Sequence, residues 1–259
     1  MENDVRINKY LSEAGYCSRR AADELVAACK VMIDGRIARP GDRVAEGHRV
    51  TVDGKAVFNK TQPVYLAYYK PAGIICTTDQ NIQSNIIDAL DYPSRVFPIG
   101  RLDKDSTGLI FLTNDGNIVN KILRAGNNHE KEYIVTVDKP IDEYFIKTMS
   151  SGVPILGTVT KPCRITPIDS CTFKLIITQG LNRQIRRMCE YMGYEVRRLH
   201  RVRIMNVHIS TLKSGSWRYL TAKEMAEINR RISDSSPLPF NETVELTESS
   251  ESPESSFDE

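Results

Sequence analysis

The chain has no Cys-x-x-Cys pair, no Gly-x-Gly-x-x-Gly stretch and no phosphate-binding Gly-rich loop. Zinc-ribbon and dithiol chemistry therefore lose their usual signal, and nothing points to a nucleotide cofactor. Histidine is scarce: four occur in 259 residues, and none stands at zinc-finger spacing from a cysteine. Neither a metal nor any other cofactor is expected. No apolar run approaches the length of a membrane span. The opening Met1-Glu2-Asn3-Asp4 is polar and acidic, unlike a secretory leader. The cysteines at 17, 29, 76, 163, 171 and 189 then read as reduced, mostly buried thiols of a cytoplasmic protein. No internal repeat is present, which argues against a solenoid.

Hydrophobic residues make up 41% of the chain, enough for one catalytic domain and a small accessory domain. The net charge of +2 hides a division. Residues 234–259 hold eight acidic residues and no Lys or Arg, leaving 35 basic against 25 acidic residues in 1–233. A body that basic suits a polyanionic partner, although many soluble proteins carry a modest positive excess. From Ser233 the chain is rich in Ser, Glu and Pro, as disordered segments are. The tail reads as an inert extension, or as an RNA mimic that competes for the basic surface.

Hydrophobic spacing organises the rest. Ile7, Tyr10, Leu11 and Ala14 repeat at helical intervals before Gly15. Ser18 can cap a second helix running towards Lys30. Val31–Ile33 and Val50–Val52 are strands, each followed by an Asp-Gly turn. This helix, helix, strand module occupies residues 1–60, and 59–63 is a linker. Strands are expected at 64–69, 109–113, 132–137 and 173–178, and Arg95-Val96-Phe97-Pro98-Ile99 leads into the loop that follows. Helices are expected at 85–90, from Asp115 or Asn117, at 142–149, and around Ile185, Met188, Cys189 and Met192 up to Gly193. Strands interleaved with helices make 61–232 an α+β domain.

One loop concentrates charge. In Gly100-Arg101-Leu102-Asp103-Lys104-Asp105-Ser106-Thr107-Gly108, two carboxylates stand among cations and glycines, just before a buried strand. A loop held by such a strand can present a reactive group. From composition alone, a polar turn with local Asp caps is the better reading.

The pattern of residues changes that balance. Gly-Arg-Leu-Asp followed by a Gly-Leu strand resembles the active-site motif of the pseudouridine synthases, in particular the small-subunit-type branch. Lys70-Pro71-Ala72-Gly73, Lys131-Glu132-Tyr133 and Gly180-Leu181-Asn182-Arg183-Gln184-Ile185-Arg186-Arg187-Met188 are similar to three further motifs of that family, in the same order. The segments 96–106, 121–127, 151–160 and 203–207 resemble a subfamily that acts on large-subunit ribosomal RNA. Arg6–Leu11, Cys17–Arg20 and Val31–Gly35 resemble an S4 RNA-binding domain. The S4 pattern departs at Cys29-Lys30-Val31, where the family carries a Gly before the Val. The resemblance covers residues 5–232.

The resemblance implies an αα-β S4 domain and a catalytic domain with a mixed, mainly antiparallel sheet flanked by helices. It implies isomerisation of uridine to pseudouridine in ribosomal RNA, at uridine 2604 of the 23S molecule, with a tRNA anticodon uridine as a second substrate. Asp103 would be the nucleophile, Arg186 its ion-pair partner, and Tyr133 the ring that stacks on the base and helps remove the last proton. Leu199 would pack beneath the base. Arg101, Leu102, Lys104, Arg183, Gln184, Ile185 and Arg187 would contact RNA at the site. Arg6, Lys9, Arg19, Arg20 and Lys30 would add phosphate contacts that carry no sequence information. A monomer is expected. Two other readings stay open: a noncatalytic RNA-binding protein of ribosome assembly, and a hydrolase that pairs Asp103 with Asp105.

Overall fold

The computed structural model describes residues 4–58, 62–210 and 212–233. The acidic tail and the centre of the expected linker lie outside them. Three separate hydrophobic cores lie within the described residues, one in the N-terminal module and one on each face of a larger sheet. The N-terminal one gathers Ile7, Leu11, Ala22, Val26, Val31, Val50 and Val52. Its helices Ile7–Glu13 and Arg19–Ala27 pack on a sheet ordered Arg36–Ile37, Val31–Ile33, Val50–Val52, Lys55–Val57. Ser18 caps the second helix, accepting from Ala21 N at 3.1 Å. That helix stops at Ala27, earlier than its apolar spacing suggests, because Cys29 turns the chain with φ +57°. A glycine would meet that φ without steric cost. Asp34 and Gly35, at φ +49° and +81°, close the hairpin as a type I′ turn requires.

The other two cores flank a nine-stranded sheet. Its main path runs Arg164–Pro167, Thr172–Ile177, Lys131–Val137, Val196–Ile204, Thr107–Thr113, Tyr65–Lys70, Trp217–Tyr219. Every neighbouring pair on this path is antiparallel except Val196–Ile204 with Thr107–Thr113, which run parallel. The sheet is therefore mixed and mainly antiparallel. On one face Phe145 and Met149 of helix Glu143–Ser151 and Ile185 and Met188 of helix Gln184–Tyr191 close over the strands. On the other, Ile118 and Ile122 of helix Gly116–Leu123 join Ile228 and Ile232 of helix Ala222–Ile232. No described helix is long and apolar enough to cross a membrane.

The parallel pair positions the site. His200 and Arg201 register against Thr107 and Gly108. A Cβ on Gly108 would lie 2.2 Å from the Arg201 carbonyl oxygen, and its φ is +111°. Only glycine lets these backbones meet so closely.

Strand Val196–Ile204 hides itself in the sequence. A bulge between its pairs Arg201–Tyr133 and Arg203–Glu132 inserts Val202. Strict alternation would send Arg201 and Arg203 to one face; the extra residue parts them. Arg203 turns away to pair with Glu130 and Glu132 at 3.0 and 2.9 Å. Arg201 and Ile204 stay with Leu199 on the face that lines the cavity.

Candidate active site

A cavity of about 500 Å³ opens between the Asp103 loop, the start of helix Gln184–Tyr191 and the central strands. That volume lies within the range of ligand pockets. Asp103, Lys104 and Arg101 line it from the loop; Tyr133, Lys131, Leu199, Arg201 and Ile204 line it from the strands.

The Lys70-Pro71-Ala72-Gly73 segment braces the Asp103 loop. Lys70 is fully buried, and its Nζ donates to Pro71 O at 2.8 Å and Lys104 O at 3.1 Å. Gly73 N donates to the same Lys104 oxygen at 2.9 Å. Burial pulls the Lys70 ammonium below its ordinary pKa, with the nearby acidic groups opposing. Leu102 N donates to Cys76 Sγ at 3.3 Å, and Ser106 N closes back on Asp103 O at 3.1 Å. A polar loop without regular structure is thereby fixed at both shoulders.

Two guanidinium groups face the Asp103 carboxylate. Its Oδ2 lies 3.5 Å from Arg186 Nε and 3.7 Å from Arg183 Nη1. Arg186 is clamped independently: Nη1 donates to Val196 O at 3.0 Å and Nη2 to Ser106 Oγ at 3.4 Å. Its buried Nε has no hydrogen-bond acceptor among the described residues, so the carboxylate supplies its compensation. Arg183 occupies the N-cap of the helix at φ +50° with no side-chain cap. Most residues pay roughly 1–2 kcal/mol for that conformation. The positive end of the helix dipole adds to the field there.

Tyr133 is 6% exposed and reaches the cavity from the central strand. Its hydroxyl accepts from Arg201 Nη1 at 3.3 Å, and the Arg201 guanidinium carbon lies 5.9 Å from its ring centre. Leu102, Ile185 and Leu199 are buried apolar lining.

The other residues expected at the site separate into groups. Arg101 and Lys104 are exposed at the cavity edge. Gln184 lines the cavity, yet its amide serves the loop: Oε1 accepts from Leu181 N at 3.0 Å and Nε2 approaches Gln179 Oε1 at 3.4 Å. Arg187 does not line it; its Nε donates to Asn182 O at 3.1 Å. Asp105 is exposed and outside the lining, which leaves Asp103 without a second carboxylate there. Arg6, Lys9, Arg19, Arg20 and Lys30 all lie on the N-terminal module. Lys9 pairs with Glu13 at 3.5 Å and Lys30 with Asp53 at 3.9 Å; Arg6, Arg19 and Arg20 are exposed. That module touches the catalytic domain where Arg95 Nη1 donates to Ser12 O at 3.4 Å.

Sequence reasoning missed Lys131 as a site group, and Arg201 altogether. Lys131 had its signal: it lies two residues before Tyr133, so the two share one face of a strand. Burial, with Arg201 nearby, brings its ammonium down to about 8. Arg201 had no such signal, because the bulge broke the alternation.

Comparison with known proteins agrees with this geometry. Residues 64–191 match the RNA pseudouridylate synthase family, and residues 5–50 match the S4 domain. The chain is 53% identical over 237 residues to a protein of Escherichia coli strain K12 called dual-specificity RNA pseudouridine synthase RluF, covering 91% of this chain and 82% of the relative. It is 31% identical to ribosomal large subunit pseudouridine synthase B of Bacillus subtilis, covering 88% and 97%. A pseudouridylate synthase crystal structure superposes with a TM-score of 0.64 at 28% identity, covering 86% of this chain and 99% of that one. A loop aspartate between two arginines, an S4 module and this extent of identity lead to one conclusion: the chain belongs to the RNA pseudouridine synthase family and isomerises uridine to pseudouridine in RNA.

Proposed function

We propose that this enzyme modifies a uridine of large-subunit ribosomal RNA, with Asp103 as nucleophile. The observation that carries the reading is the Asp103 carboxylate, set 3.5 Å from the clamped Arg186 and opening onto the same cavity as Tyr133. Two further points support it. The relative of Bacillus subtilis is named for the large ribosomal subunit, and the body of the chain carries a basic excess. Uridine 2604 is the site the resemblance points to. The dual specificity in the name of the Escherichia coli relative supports a second RNA substrate, and the resemblance points to a tRNA anticodon uridine. The enzyme acts as a cytoplasmic monomer, divided as an S4 domain at 1–60, a catalytic domain at 61–232 and a tail at 233–259.

The chemistry follows from the arrangement. The target nucleotide leaves its stack, at a cost of a few kcal/mol that is smaller in a loop than in a duplex. Arg101 and Lys104 meet the displaced backbone. The base enters between Tyr133 and Leu199. The N1–C1′ bond breaks, the uracil turns, and C5 bonds to C1′. C5 then loses its proton and N1 gains one, so composition is unchanged and no cofactor is required. Asp103 acts at C1′, on the base ring, or on a sugar proton. In each route RNA desolvates the carboxylate as it covers the site, and Arg186 offsets that cost. Tyr133 assists the final proton removal from C5. The S4 module supplies placement and salt-dependent affinity.

Mapping pseudouridine in ribosomal and transfer RNA from cells with and without the gene tests the substrate. Loss at one large-subunit uridine and one anticodon uridine is expected. An unchanged map in both RNA classes would overturn the reading. Release of free uracil in place of a rearranged nucleotide would assign a hydrolase.

A further inference from the structure

Every charged side chain lining the cavity has been given a role except two. Lys131 is 7% exposed and Arg201 is 3% exposed, and both line the chamber that holds Tyr133. Arg201 spends Nε on Leu109 O at 2.6 Å and Nη1 on the Tyr133 hydroxyl at 3.3 Å. Its Nη2 is buried with no partner among the described residues. Among the described residues the Lys131 ammonium has one hydrogen-bond partner, His129 O at 3.4 Å. Asp103, the one carboxylate lining the cavity among the described residues, is engaged by Arg183 and Arg186.

An uncompensated buried cation costs several kcal/mol, and an apolar residue of similar size would serve a core better. Two such cations side by side make sense where an anion arrives. Across the strands Lys131 registers with Ile177 and Ile204, and Arg201 with Tyr133; with Leu199 these side chains line the same cavity. A flat ring fits such walls, whereas a phosphate would lose most of its hydration there.

We infer that Arg201 and Lys131 form a cationic floor that binds a carbonyl oxygen of the target uracil and stabilises the negative charge the base acquires during the reaction. This rests on the proposed placement of the base between Tyr133 and Leu199. The charge arises whichever route Asp103 takes. Heterolysis of N1–C1′ leaves the electron pair on the uracil, spread over N1, O2, C5 and O4. Addition of Asp103 to C6 would place it on O4 as an enolate. Bond formation between C5 and C1′ consumes it; the C5 proton then departs and N1 is protonated. The floor donates hydrogen bonds throughout and exchanges no proton. Fixed donors aimed at developing charge act strongly where water is excluded.

The test compares single-turnover bond cleavage on unmodified large-subunit ribosomal RNA transcribed with uridine or with 5-fluorouridine. Fluorine withdraws electron density, so the fluorouracil anion depends less on the protein. Cleavage of N1–C1′ is read by nuclease digestion, chromatographic separation of the isomeric nucleosides and tandem mass spectrometry. With uridine RNA, Lys131→Met is expected to lose roughly 100-fold in rate at unchanged RNA affinity. With 5-fluorouridine RNA the loss should shrink to about a tenth of that, since the substituent supplies the missing stabilisation. Arg201→Lys should follow the same pattern, and Lys131→Arg should recover most of the rate. Equal losses on both RNAs, or no loss, would overturn the cationic floor. Asp103→Asn is run beside them. Activity surviving there would bring down the nucleophile assignment and leave the leaving-group comparison interpretable by itself.

Discussion

Replacing Gly108 by alanine tests whether the parallel strand pair builds the site. The added Cβ would sit 2.2, 2.6 and 2.9 Å from O, N and C of Arg201, all of them backbone atoms. No side chain can swing away to make room, so strands Thr107–Thr113 and Val196–Ile204 must part by about 1 Å. Positive φ adds strain of about 1–3 kcal/mol, and overpacking a further 1–3 kcal/mol. A loss of about 4 kcal/mol is the central expectation, within the range for severe substitutions. Trp217 is the sole tryptophan and pairs with Tyr68 in the catalytic sheet, so its fluorescence reports that domain and not the S4 module. At a slope of about 2 kcal/mol per molar urea, the midpoint should fall by about 2 M. The displaced Arg201 should also cost activity under conditions where the variant remains folded. A change below about 1 kcal/mol with full activity would refute the close approach of the two strands.

Other outcomes follow from particular contacts. Lys131→Met should stabilise the RNA-free protein at pH 7 by about 1–3 kcal/mol while slowing catalysis. Burial lowers this ammonium from 10.5 to about 8, so between those values the unfolded chain binds more protons. Wild-type stability therefore rises with pH through that window, and the variant lacks this slope; thermal melts at pH 7 and 9.5 check both. Thr221→Ala breaks the capping box with Glu224 at helix Ala222–Ile232 and should cost about 1 kcal/mol in a urea titration. Iodoacetamide at neutral pH should label exposed Cys29 first and leave Cys189 intact, since burial pushes that thiol up to about 12; peptide mass spectrometry distinguishes the two.

Where apolar spacing was regular, the sequence was readable. Ser18, read as a cap, does cap its helix, and the helices expected at 85–90, from Asp115 or Asn117 and at 142–149 are capped by Asn85, Asp115 and Asp142. Both Asp-Gly turns of the S4 module fall where the dipeptides stand. Helix Ala222–Ile232 went unread despite its Thr-x-x-Glu start. Strand Val196–Ile204 carries four arginines and a bulge, so neither hydrophobicity nor alternation marks it. The same bulge concealed Arg201. Asp103, Tyr133 and Arg186 were legible as a constellation only because their motifs resemble a family; loop charge by itself suggested a turn. Gln184 and Arg187 were marked for RNA contact by the same resemblance; nothing in the sequence showed that each also makes a hydrogen bond within its own loop.

The proposed reaction depends on the Asp103 carboxylate, and one substitution addresses it. Asp103→Asn keeps the shape of the side chain and removes its charge. Pseudouridine formation on unmodified large-subunit ribosomal RNA, followed in single turnover, should fall by at least about 1,000-fold, with RNA affinity within about threefold of wild type. Formation of pseudouridine at a rate near that of the wild type would contradict the assignment.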